Sequence, residues 1–279
     1  MNWGHVFAVA KKDMKSITSN VQVMIGLILL PLLFGVIVPA VFIILAKTNN
    51  MTNINMNVGE LIERFITQFP AGEIKDKLVS FPTTQHQIIY MFANYMLGPF
   101  FLLIPVMNAL MISLNSLVGE KERRTLESLL FSPIDLKSLF LGKLIATFIP
   151  TIAVTITSFL LCTIIVDGLT YTMFDGLIFP NWNWIIILLW VTPMLTALVI
   201  QFSIMISARS KGFQEAQQLG GVIVLPIIAL AISQITGLVF LSIQLLLAIG
   251  LVLLIINILM LKWVAKFNQR HYLFERQVH

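Results

Sequence analysis

The chain has 279 residues, of which 58% are hydrophobic and only 11% charged, and its mean hydropathy is +0.91. A soluble domain carries roughly 25% charged residues, so this composition excludes an ordinary soluble protein and points to a polytopic membrane protein. The net charge of +5 does not indicate nucleic-acid binding, because the basic residues are scattered at the edges of apolar runs rather than gathered in a patch.

Residues 1–20 read as an interfacial helix. Trp3, Phe7, Ala10, Met14 and Ile17 fall near one face, with Lys11, Lys12, Asp13 and Lys15 off it. The alternative is a frayed leader. The first apolar run, 21–46, is longer than the roughly 7–15 residues of a cleaved signal's apolar region and is expected to stay as a span.

Residues 47–85 form a loop too long for a simple connector. Its start, Asn49 to Asn57, is Asn-rich, and Asn50-Met51-Thr52 is a glycosylation triplet that matters only in a pathway that glycosylates. Leu61, Ile62, Phe65, Ile66 and Phe69 then recur at helical spacing, predicting a short amphipathic helix. That helix is either a gate or a lid packed for stability.

Further spans are predicted at 86–117, 137–166, 182–207, 218–234 and 238–261, with Gly237 turning the fifth into the sixth. The fold class is therefore all-α: an interfacial helix, six transmembrane helices, and a tail over 262–279. Only Lys47, Arg64, Lys75 and Lys77 of the 18 Lys and Arg lie outside if both termini are cytosolic, which fixes the expected orientation. Asp167 and Asp175 are assigned to the second outer loop, and no carboxylate to a membrane midplane. Ion-coupled carriers usually keep ionisable groups inside the bundle, so the energy for any transport would have to enter from elsewhere.

Between the second and third spans lies a charged island, residues 119–135. Gly119 can end the apolar run. Glu120, Lys121, Glu122, Arg123, Arg124 and Glu127 cannot sit in hydrocarbon, whereas Leu126, Leu129, Leu130 and Phe131 supply an apolar side. Pro133 stops the helix and Asp135 can cap the next. Leu126, Leu129 and Leu130 suit a hydrophobic groove on a partner. The plainer alternative is a solvated helix with Glu120–Arg124 and Arg123–Glu127 paired at i, i+4.

The polar residues within the spans are neutral. Asn94, Asn108 and Asn115 share a face of the second span, and Thr147, Thr151, Thr155 and Ser158 a face of the third. They are either helix–helix glue or a translocation path without fixed charge, and Gln201, Gln234 and Asn257 fit either role. Pro31, Pro39, Pro99, Pro105, Pro150, Pro193 and Pro226 can kink spans.

The usual catalytic constellations are missing. Gly142-Lys143 ends like a nucleotide loop, but Lys137 stands where its first glycine is needed. His5, His86, His271 and His279 are dispersed; His271, Glu275 and His279 would share a face only if the tail were helical. Cys162 is the one cysteine, so no disulfide or Cys-based metal site forms within the chain.

Residues 119–133 resemble the type-2 permease family of ATP-binding-cassette transporters, whose second and third spans are joined by a segment that opens Gly-Glu-x-Glu-Arg and closes Leu-Leu-x-x-Pro. Gly119, Glu120, Glu122, Arg123, Leu129, Leu130 and Pro133 stand in that pattern, with Arg124, Thr125, Leu126 and Glu127 between them. Within the family the chain looks most like the bacterial sodium-, drug- or peptide-export subgroup. The resemblance implies one permease domain over 1–279, in which 119–134 is a coupling helix seated in a separate ATPase subunit. It also implies a second permease beside it, ATP and Mg on the ATPase with no cofactor on this chain, and a multi-pass place in the bacterial plasma membrane. The family often folds its fifth-to-sixth connection into re-entrant helices; here that connection is very short.

Overall fold

The computed structural model describes residues 3–48, 73–122, 136–210 and 212–267. Among them no strand occurs, and six helices are long and apolar enough to cross a membrane. Helix α1, Trp3–Ser19, precedes span 1, Val23–Lys47. Spans 2 to 6 follow at Thr84–Glu120, Ser138–Phe174, Trp182–Ser207, Phe213–Ile235 and Ile243–Lys262. The outer-loop helix predicted around 61–69 lies outside the described residues; nearer span 2 a short helix covers Glu73–Ser80.

Span 2 is the axis of the bundle. It is buried over most of its length, while spans 5 and 6 leave most of their apolar surface facing outward. The charge-poor sequence dictates this arrangement, since nearly every side chain of span 2 is fit for burial on all sides. On one flank Val106, Leu110 and Leu114 pack with Val191, Val199 and Ile200 of span 4 and Ile227 of span 5. On the other flank Phe101 meets Trp184 at a ring-centroid distance of 5.3 Å and Phe159 at 6.0 Å, in edge-to-face contacts. The Trp184 indole N–H donates to the Ala93 carbonyl at 3.1 Å.

The prolines shape the rods in two ways. A proline in a helix cannot donate to the carbonyl four residues back and clashes with it. Before Pro39, Pro99 and Pro193 the chain widens into a π turn, at Leu33–Ile37, Phe92–Met96 and Ile187–Val191. In each case the carbonyl four residues back (Gly35, Tyr95 or Leu189) falls inside the widened turn, so the clash is relieved without breaking the span. Pro31 is handled differently. The carbonyl it leaves free, Leu27, accepts from the Asn108 side chain of span 2 at 3.5 Å.

Several sequence-based boundaries move. Span 2 runs from Thr84, and its helix carries on to Glu122 rather than stopping at 117; span 3 extends to Phe174 rather than 166. Asp167 is thus helical, not a loop residue. Its carboxylate accepts the Ile178 and Phe179 amides at 3.1 Å each, and so it caps the turn that follows the span. The fifth span is longer than 218–234, because Phe213–Gly221 joins Leu225–Ile235 through a tight turn at Val222–Val224. Gly237, at φ 74°, adopts the left-handed conformation that its predicted turn requires.

Candidate coupling site

Of the charged island, Arg123, Arg124, Thr125, Leu126, Glu127, Leu129, Leu130 and Pro133 lie outside the described residues. The helix of span 2 runs without interruption through Gly119 and Glu120 to Glu122, so the segment begins as an extension of that rod. Span 3 begins directly after it, at Leu136.

The flanks of the segment are joined by charge. Lys12 Nζ lies 2.7 Å from Glu120 Oε1 and 3.5 Å from Asp13 Oδ1. Lys143 Nζ lies 2.7 Å from Glu120 Oε2 and 3.1 Å from Asp13 Oδ2. The four residues form a closed ring of alternating sign, drawn from α1, the end of span 2 and the first turns of span 3. The Ser116 hydroxyl bridges one edge of it, donating to Asp13 Oδ2 at 3.0 Å and accepting from Lys143 at 2.8 Å. The Lys143 and Asp13 side chains are 3% and 4% exposed, against 52% for Lys12, so the ring has a dry side and a wet side.

Burial works against the Lys12 charge. The hydrogen bond and Coulomb pull of Glu120, with smaller help from Asp13, outweigh it and raise the ammonium above its ordinary 10.5.

This ring corrects two sequence-based assignments. Asp13 was placed off the apolar face of α1, but the buried face is Val6, Val9, Ala10, Asp13 and Ile17, while Trp3 and Phe7 point outward. Lys143, one of the basic residues assigned to the inner side, does not face water there but is buried inside the bundle. A sequence signal did exist: an acid stands among the lysines of α1, and a lysine stands inside an apolar run. A charge so placed needs a partner. Gly142 makes the meeting possible. A Cβ there would lie 2.7 Å from Val9 Cβ and 2.9 Å from the Val6 carbonyl, so only glycine lets α1 lie this close against span 3. Ile17, Val23, Leu27 and Ile112 then seal the neighbouring side.

The asparagines of span 2 do not form one site. Asn94 donates to the Tyr90 and Ile178 carbonyls at 3.2 and 3.1 Å, and Asn108 to Leu27, so both act between or along helices. Asn115 lines a cavity of about 670 Å³ beside the ring, together with Lys12, Ser16 and Glu120. Thr155 donates to the Thr151 carbonyl at 2.7 Å, within its own helix. Gln201 and Asn257 clasp spans 4 and 6 at 2.7 Å.

No metal cluster of His, Cys, Asp or Glu occurs among the described residues. The described residues form a multi-pass membrane bundle, and the densest charge cluster among them sits at one end of its central rod. The model of the ABC-2 family transporter protein matches residues 7–278. The chain belongs to this family. An ABC-2 family chain is a permease subunit of an ABC transporter, and its place is in transport rather than catalysis. No curated protein matches the chain individually.

Proposed function

We propose that this ABC-2 chain is the permease of an ATP-driven exporter that works with a separate ATPase subunit and a second permease. In this reading both termini are cytosolic, ATP and Mg bind the ATPase, and residues 119–134 are the coupling helix. Leu126, Leu129 and Leu130 enter a groove of the ATPase, and the surrounding charges set orientation. The observation that supports the reading most is the ion ring. It stands at the base of the segment and joins the rods on both sides of it, where a push from a partner must be received. The distribution of Lys and Arg supports placing that end in the cytosol.

The test is co-purification in mild detergent. The wild-type chain should retain an ATPase subunit whose hydrolysis it stimulates. Leu129→Asp should still insert in the membrane but lose the subunit, because a carboxylate cannot enter an apolar groove unpaired. Movement of an amphiphilic dye such as ethidium by the purified chain alone, in ATP-free liposomes, would instead favour an independent carrier.

A further inference from the structure

The ion ring has a property that a simple pair lacks. Asp13 and Glu120 each spend their two oxygens on two different cations, and Lys12 and Lys143 each face both acids. Removing any one member therefore leaves both of its oppositely charged neighbours, two like charges, short of a partner. On the dry side, at Lys143 and Asp13, that shortage cannot be relieved by water, so a half-open ring is strongly disfavoured. The ring also spans three elements that the backbone leaves separate, and the close approach at Gly142 brings α1 to it. On its opposite face α1 carries Trp3 and Phe7, 57% and 61% exposed, which suit the headgroup layer of a membrane.

We infer that Lys143 is a positioning residue that locks α1, the end of span 2 and the start of span 3 into one block, so that displacement of residues 119–134 carries α1 along the membrane surface. The inference rests on the coupling reading of that segment. It adds a moving part to it: α1 is driven by the partner's nucleotide cycle rather than serving as a fixed anchor.

The test follows amide hydrogen exchange in the complete transporter, permease with its ATPase, with and without bound ATP. In the wild type and in Lys143→Arg, protection across 6–18 and 113–122 changes together between the two states. In Lys143→Met, 113–122 still responds to ATP, whereas α1 exchanges about tenfold faster and equally in both states. Ser116→Ala removes only the hydroxyl shared by Asp13 and Lys143; it shows the same separation in weaker form and decides the matter if Lys143→Met does not fold. The double variant Asp13→Lys with Lys143→Asp gives a further arm. It preserves net charge but sets like charges beside Lys12 and Glu120, so α1 stays uncoupled.

Restoration of the joint response by that double variant would reduce the ring to an ordinary pair and overturn the inference. So would an α1 that ignores ATP in the wild type, or one that still follows it in folded Lys143→Met. The coupling reading fails by a different result, a transporter that binds no ATPase.

Discussion

Glu120 Oε2 and Lys143 Nζ stand 2.7 Å apart across the base of the charged island, one on the last turns of span 2 and the other on the first turns of span 3. The ion pair closes the gap that the connecting segment would otherwise leave between two rods. Because the same two side chains also reach Lys12 and Asp13, the joint includes a third helix.

Loss of Lys143 should therefore be costly. Lys143→Met leaves Asp13 buried beside Glu120 with their main cation gone, and removing one partner of a buried pair costs roughly 3–5 kcal/mol. Lys143→Arg keeps the charge and should cost far less. Thermal unfolding in detergent, followed by the retention of monomeric protein, checks the order. Equal stability of the two variants would show that the ring contributes little.

Gly142→Ala tests the close approach. The added methyl would sit 2.7 Å from Val9 Cβ, so α1 must shift. Overpacking of this kind costs typically 1–3 kcal/mol, and the loss should appear first as faster hydrogen exchange in α1 while spans 4 and 6 stay protected. Unchanged exchange in α1 would mean that the helix does not lie on Gly142.

Pro31 and Asn108 should be energetically coupled. Asn108→Leu strands the Leu27 carbonyl that Pro31 leaves free and should cost about 1 kcal/mol. Pro31→Ala restores a backbone donor to that carbonyl, so Asn108→Leu should cost less in that background. A double-mutant cycle of unfolding free energies measures the difference, and strict additivity would count against the contact.

Alkaline pH should loosen α1 only late. The Lys12 value is raised in the folded chain, so its contribution is whole below its ordinary 10.5 and is lost as pH rises through the folded value. Protection of α1 should hold steady from neutrality to that point and then fall, and Lys12→Met should remove this part of the transition. A decline well below 10.5 would contradict the assignment.

Much of this architecture can be read from residues alone. Apolar runs locate six spans because hydrocarbon admits little else, and Gly237 marks its turn because few other residues tolerate that backbone. Helix ends were less legible. A helix continues into polar surroundings when its side chains find partners there, as Glu120 does with Lys12 and Asp167 does with the Ile178 amide. The buried face of α1 is hidden from the sequence for a related reason. Periodicity groups Trp3 and Phe7 with the apolar residues, but it cannot say whether such a face meets lipid or protein, and the burial of Asp13 depends on a lysine far along the chain. Likewise, the asparagines of span 2 share a face yet serve different neighbours, which spacing cannot resolve.

In the proposed coupling, residues 119–134 receive force from another protein on the cytosolic side. Site-specific photo-crosslinking from positions 120, 126 and 129, in membranes that hold the assembled transporter, tests this most directly. The expected product joins each position to the ATPase subunit, with yields that change when ATP is bound. Labelling of those positions by a membrane-impermeant reagent added to the outside of intact cells, with no ATPase adduct, would contradict it.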